Sequence, residues 1–253
     1  MKTIAILNQK GGVGKSTTAS NLLAYATRQG SKCLGVDVDG QGHLTKLCGI
    51  STDNENTVLE LLNGTATPSD TIKRTFAFGD IVPCDRELQY AVLQLASKPD
   101  FIFRTKDVLE EVADRYDYCV IDCPPAISAI TTSVLAASDY VIIPTEAEYF
   151  SVDGVTELAR TINSVKRINS SLKVMGLLIT KYNVNRRLTR DFEALLNTGK
   201  EIFGAEILPM KIRATVDIPS SQVHKQSIFD YKPNSAVAAD YAAFGDYVLR
   251  SAI

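Results

Sequence analysis

The stretch Asn8-Gln9-Lys10-Gly11-Gly12-Val13-Gly14-Lys15-Ser16-Thr17 packs two ammonium groups, three glycines and two hydroxyls into ten residues. That mixture suits a chain of phosphates. Glycines let backbone N–H groups approach phosphate oxygens with no Cβ in the way, and a helix starting at Ser16 adds unpaired N–H groups and a positive dipole end. The backbone from Gly11 to Thr17 is therefore expected to cradle the phosphates of a nucleotide, with Lys15 reaching the β- and γ-phosphates and the Ser16 hydroxyl binding Mg²⁺. One position breaks the usual spacing. Where the standard loop carries its first glycine this chain has Gln9, and Lys10 opens the glycine run. Two lysines around one loop are more cationic charge than a γ-phosphate held in cis needs. Lys10 is thus expected to reach a phosphate across a dimer interface and stabilise charge on the transferring phosphoryl group.

Two carboxylates complete this chemistry. Val36-Asp37-Val38-Asp39-Gly40-Gln41-Gly42 follows an apolar run, and acids two residues apart on a strand point the same way. Asp39, where the strand gives way to a glycine-flanked loop, is expected to orient the attacking water, directly or through the metal shell. Tyr118-Cys119-Val120-Ile121-Asp122-Cys123-Pro124-Pro125 is an apolar strand ending in an acid, which places Asp122 to hold Mg²⁺ through water. The catalytic set is then Lys10, Lys15, Asp39 and Asp122, and the metal set is Ser16, Asp39 and Asp122. Thr180-Lys181-Tyr182-Asn183 closes a later strand; Asn183 can present one donor and one acceptor to adenine, which favours ATP over GTP.

The elements that must position these groups alternate. Short apolar strands are expected at Thr3–Leu7, Lys32–Val38, Asp80–Pro83, Tyr118–Asp122, Tyr140–Pro144, Val174–Thr180 and Glu206–Pro209. Helices are expected at Ser16–Arg28, Arg86–Ser97, Thr105–Arg115, Val152–Asn169, Leu188–Phe203 and Ala236–Ser251. Near-continuous apolar runs fit a parallel sheet buried on both faces. The expected fold is α/β: a single doubly wound, mostly parallel sheet with helices on both faces, binding its ligand at the carboxyl ends of the strands. Ser51–Thr71 reads as a polar surface excursion with a short helix near Val58–Leu62. Residues 1–253 read as one domain, with no leader before the first strand.

The chain has 253 residues, 45% of them hydrophobic and 22% charged, with a net charge of −2, so no global field draws it to nucleic acid. Contact with DNA phosphates would have to come from local clusters: Lys181, Arg186, Arg187 and Arg190, then Lys211, Arg213 and Lys225. Five cysteines without a regular spacing argue against a disulfide framework and for a reducing cytoplasm. No C-x-x-C pair exists, so Cys84, Cys119 and Cys123 read as small buried apolar residues. No apolar run is long enough to span a bilayer, and the C-terminal stretch lacks the basic face of a membrane-surface helix.

Together these motifs carry a resemblance. Lys10–Thr17 matches the deviant Walker A of the ParA/MinD superfamily. Asp37–Gly42 resembles the Asp-x-Asp-Pro-Gln-Gly segment of ParA and Soj proteins, with Gly40 in place of proline. Ile121–Pro125 is similar to their Walker B and switch II, and Glu146–Gly154 to their Glu-Tyr-Phe-Ala-x-x-Gly stretch. The likeness runs from Lys2 to about Leu249. It implies a P-loop ATPase whose ATP-bound sandwich homodimer binds DNA non-specifically, associates with the nucleoid and is stimulated by a ParB-like centromere-binding partner, so that plasmid or chromosome DNA is segregated. It also implies that Lys10 is the signature lysine acting across the dimer, that Asp39 is the switch I aspartate, and that Arg187 and Arg213 lie where Soj-like proteins contact DNA. An N-terminal helix-turn-helix domain is not expected. The same motifs would also serve an ATPase positioning a cargo other than DNA, or a metabolic enzyme on this fold.

Overall fold

The computed structural model describes residues 1–146, 152–183, 204 and 206–252. Its strands are β1 (Lys2–Ile6), β2 (Cys33–Asp37), β3 (Lys73–Thr75), β4 (Gly79–Val82), β5 (Tyr118–Asp122), β6 (Tyr140–Glu146), β7 (Lys173–Tyr182) and β8 (Ile207–Arg213). They form one sheet in the order β3-β4-β2-β5-β1-β6-β7-β8. Every pairing is parallel except that of β3 with β4. β1 thus lies in the middle, with β5 on one side and β6 on the other, and the glycine-rich loop leaves its carboxyl end at the crevice where connections diverge to opposite sides.

Alternation along β1 assigns the two faces. Ile4 and Ile6 pack with Leu22, Leu23, Tyr241, Phe244 and Val248, from the helices Lys15–Arg28 and Ala236–Ser251. Ala5 and Leu7 face the other side with Leu61, Leu88, Val108, Val134 and Ile162, from helices Val58–Asn63, Glu87–Ala96, Phe101–Glu110, Ala129–Ala137 and Val152–Val165. The helix that follows the loop is seated closely. A Cβ at Gly35 in β2 would lie 2.5 Å from Ile81 Cδ1 and 2.7 Å from Leu23 Cδ1. Only a glycine lets that helix, and so the loop at its head, settle this near the sheet.

The structure corrects several boundaries. Lys73–Thr75 is a short edge strand, and Ala129–Ala137, where no element was expected, is a helix. β8 continues past Pro209 to Arg213; it is an edge strand, where a missing N–H need cost no ladder bond. The helix expected at Thr105–Arg115 runs instead from Phe101 to Glu110. The excursion at 51–71 is anchored in the core by Val58, Leu61 and Leu62, and its helix starts with a capping box in which the Glu60 carboxylate accepts from the Thr57 N–H at 2.8 Å. The helix expected at Leu188–Phe203 lies outside the described residues.

The C-terminal helix Ala236–Ser251 buries Val237, Ala238, Tyr241, Phe244, Gly245 and Val248. Its apolar face is spent on the body of the protein. No helix among the described residues is long and apolar enough to cross a membrane.

Candidate functional site

The loop Lys10–Gly14 is held from both sides. Asn8 Nδ2 donates to the Pro144 carbonyl at 2.7 Å, and the Asn8 side-chain oxygen accepts from Lys10 N at 3.0 Å. The Thr180 hydroxyl, from β7, donates to the Val13 carbonyl at 2.8 Å. Gly12 (φ 78°) and Gly14 (φ 87°) occupy the left-handed region that other residues rarely adopt. A Cβ on Gly11 or Gly12 would meet nothing within 4 Å, so the loop presents open backbone to a ligand.

The two lysines part company here. Lys15 is buried, and its ammonium donates to the Lys10 carbonyl at 3.1 Å. Burial lowers its pKa, opposed by Asp122 and then Asp39. Lys10 is exposed and does not line the cleft.

Asp122 ends β5 with no solvent exposure, and neither carboxylate oxygen has a hydrogen-bond donor among the described residues. Its register partner in β2 is Asp37. Burial, reinforced by Asp37, drives the Asp122 pKa well above the carboxylate range, against the pull of Ser16 and Lys15. An orphaned buried carboxylate beside a serine hydroxyl and an open phosphate cradle fits a divalent cation and its water. No group of three His, Cys, Asp or Glu residues among those described could cage a metal. The fit is therefore to an ion such as Mg²⁺ that keeps waters and takes phosphate oxygens from its ligand.

Asp39 lies just beyond β2, 6% exposed, and lines the same cleft. One of its carboxylate oxygens accepts from Gln41 N at 3.0 Å. Asp37, which the sequence offered beside Asp39 without a task, is fully buried and accepts from Asp39 N at 3.1 Å, Thr45 N at 2.9 Å and Thr45 Oγ1 at 2.8 Å. Burial still raises its pKa despite those donors.

Lys15, Ser16 and Asp39, but neither Asp37 nor Asp122, border a cleft of about 840 Å³ running from Gly11–Thr17 past Asp39 to Pro124, Pro125 and Ser128. Its wall turns apolar at Leu47, Leu88, Val92 and Ile130. Gln222, which sequence reasoning missed, also lines it and donates to Thr17 Oγ1 at 2.8 Å. No local motif announces that contact, because 205 residues separate its partners. Asn183 is exposed at the end of β7 and does not line the cleft.

The basic residues fall into separate places. Tyr182 pairs with Arg213 across β7 and β8, which brings Lys181 and Lys211 to neighbouring strands. The Lys181 ammonium lies 2.6 Å from Glu146, and that of Lys211 lies 4.6 Å from the centre of the Tyr182 ring. Arg213 is held by both oxygens of Asp240, at 2.6 and 2.8 Å, fastening β8 to the C-terminal helix. Lys225 does not join them; it lines the cleft with Lys46 and packs against Gly49. Arg186, Arg187 and Arg190 lie outside the described residues, as does most of the segment Glu146–Gly154. All five cysteines are free; Cys84, Cys119 and Cys123 are buried, and burial raises their thiol pKa values.

Residues 1–174 match the AAA domain family. The chain is 35% identical over 243 residues to the sporulation initiation inhibitor protein Soj of Bacillus subtilis, covering 95% of each chain. It is 34% identical over 246 residues to the chromosome-partitioning ATPase Soj of Treponema pallidum, covering 95% of this chain and 94% of that one. Among solved structures it resembles cobyrinic acid a,c-diamide synthase from Mycobacterium smegmatis with bound ATP analog and magnesium. The TM-score is 0.86 at 30% identity, over 99% of this chain and 95% of the other.

Proposed function

This chain belongs to the ParA/Soj family within the ParA/MinD superfamily, and on that premise we propose that it is a DNA-partition ATPase working as a nucleotide switch. It is an ATP hydrolase that uses ATP and Mg²⁺. In our reading residues 1–253 act as one ATPase unit in the cytoplasm. ATP closes two copies face to face, and the closed dimer binds nucleoid DNA without sequence preference. A ParB-like partner then stimulates hydrolysis and resets the cycle.

The geometry supports the following roles. Lys15 lies at the head of its helix, where the β- and γ-phosphates would sit, with the N–H groups of Gly11–Thr17 around them. Ser16 and Asp122 would hold Mg²⁺, with Asp39 in reach of the metal shell. The ion would neutralise charge developing on the transferred phosphoryl group. Asp39 would orient the water in line with that group. Asn183 is offered as an adenine contact, completed by the bound nucleotide. Lys181 and Lys211, with Arg186, Arg187 and Arg190 nearby in the sequence, are offered as the DNA surface; Arg213 would have to share its guanidinium with Asp240.

One observation carries the reading: Lys15 is buried in the cleft while Lys10, in the same loop, is exposed outside it. A lysine so placed suits a neighbour's nucleotide better than its own. The test is Lys10→Ala. It should bind ATP with near wild-type affinity, sediment as a monomer at saturating ATP and Mg²⁺, and lose ATP-dependent DNA binding. The wild type should bind DNA in ATP far more tightly than in ADP or without nucleotide, with affinity falling steeply as salt rises. Equal DNA binding in all three states, or a dimeric Lys10→Ala, refutes the proposal. A second reading, a small-molecule amide synthase, draws on the apolar wall at Leu47, Leu88, Val92 and Ile130, which phosphate chemistry leaves unused. ATP-independent indifference to DNA would favour it.

A further inference from the structure

The loop that carries Asp39 is closed on a single carboxylate. Asp37 Oδ1 accepts from Asp39 N at 3.1 Å, and its Oδ2 accepts from both the backbone N and the hydroxyl of Thr45, at 2.9 and 2.8 Å. The Thr45 hydroxyl accepts in turn from Cys84 N, 2.9 Å away at the exit of β4. Inside this ring Asp39 is held twice more: its carbonyl accepts from Gly42 N at 2.7 Å, and its carboxylate from Gln41 N. Val38 N donates to the Asp122 carbonyl at 3.0 Å, tying the start of the loop to β5. The loop is also pressed against the β4 exit, since a Cβ on Gly42 would lie 2.7 Å from the Cys84 carbonyl oxygen.

Asp37 and Thr45 are both buried, and neither lines the cleft. A structural task alone would be met more cheaply by an apolar pair, because burying a carboxylate is costly even when it is hydrogen-bonded. What this pair supplies is a fixed distance between three separate pieces of chain: the end of β2, the helix His43–Leu47 and the end of β4. Asp39 sits at the centre of that span.

We propose that Thr45, clamped by Asp37 and clamping Cys84, is a positioning residue that sets Asp39 for hydrolysis. The proposal rests on the reading that Asp39 orients the attacking water. Catalytic groups misplaced by about 1 Å lose on the order of 100-fold in rate, whereas the phosphate-binding backbone proposed at Gly11–Ser16 is a separate segment that none of these hydrogen bonds touches. Loss of the clamp should therefore appear in kcat and spare nucleotide affinity.

The experiment measures steady-state ATP hydrolysis, affinity for a fluorescent ATP analogue and thermal melting for Thr45→Val, Thr45→Ser and Asp37→Asn. Thr45→Val keeps shape and loses the hydroxyl. It should lower kcat by about 10–100-fold while affinity changes less than about 3-fold, within the span of one weak contact. Thr45→Ser restores the hydroxyl and should recover most of the rate, which a role in packing alone would not predict. If Thr45→Val fails to fold, Asp37→Asn decides on the same two readouts. A folded variant of either kind with kcat within about 2-fold of wild type, or with rate and affinity lost in parallel, overturns the proposal. Asp39→Ala runs alongside: wild-type hydrolysis by that variant would sink the water-orienting reading itself, whereas a dead Asp39→Ala beside a fully active Thr45→Val would sink the clamp alone.

Discussion

Replacing Asp122 with Asn should make the ligand-free protein more stable and the Mg²⁺-nucleotide complex weaker. Asp122 is fully buried, both its carboxylate oxygens lack donors among the described residues, and Asp37 stands opposite it in register. Lys15 is the nearby cation, but its ammonium is engaged by the Lys10 carbonyl. An unsatisfied buried polar group costs about 1–3 kcal/mol, and more when charged. The amide keeps the shape, is neutral without having to take up a proton as the raised pKa of Asp122 requires, and can donate towards Asp37. Recovering about 1–3 kcal/mol corresponds to a rise in Tm of about 2–4 °C per kcal/mol for a protein of this size. With ligand the order should invert. A ligand at 100 times its Kd stabilises the wild type by about 2.7 kcal/mol, and the part of this that needs Mg²⁺ should vanish in Asp122→Asn. Melting curves of both proteins, without nucleotide, with ATP and EDTA, and with ATP and Mg²⁺, read all these quantities at once. A ligand-free variant that melts at or below wild type would mean that burying this carboxyl group is not costly, its neighbours such as Ser16 having satisfied it. An Mg²⁺-dependent shift that survives would mean that Asp122 does not serve the metal.

Packing and titration give two further tests. Gly245 lies within the C-terminal helix, where alanine is ordinarily favoured by about 1 kcal/mol. A Cβ there would lie 2.2 Å from Tyr25 Cδ1, so overpacking should win and Gly245→Ala should lose about 1–3 kcal/mol in chemical denaturation; a stabilised variant would refute the close contact. Tyr25 donates to Asp246 at 2.7 Å, and its pKa is pushed up to about 12 by burial and then by that carboxylate. A folded pKa above the unfolded value near 10 means that stability is fully present below about pH 10 and is lost as pH rises towards 12. Tyr25→Phe should flatten that part of the stability profile, and an unchanged slope would show that this hydroxyl does not titrate as described.

Much of the architecture could be read directly along the chain because each signal was local. The apolar runs of β1, β2 and β5 end in candidate site residues within a few positions, and the helix Lys15–Arg28 begins where the glycine loop ends. Elements lacking a local signature were missed. Ala129–Ala137 buries Ile130, Thr131, Ser133, Val134, Leu135 and Ala136, on nearly every side, so its sequence has little amphipathic period to detect. β3 is three residues long, Lys73-Arg74-Thr75, and carries no apolar residue; it exists because β4 offers it a free edge. Pro209 looked like a stop and is harmless only because β8 lies at the sheet's margin.

Residue types and spacing alone determined the chemistry: glycines and lysines that suit phosphates, an acid after each of two apolar strands, and a composition with no bulk attraction to nucleic acid. Those properties are carried by covalent neighbours and survive without any knowledge of packing. Tertiary structure alone decided which acids face each other, that Asp37 holds Thr45 while Asp122 is left with unsatisfied oxygens, that Gln222 meets Thr17, and that Lys225 borders the cleft. These are relations between segments far apart in the chain, set by strand order and register, and a side chain's charge or hydrogen-bonding need is answered only by whatever that register brings beside it.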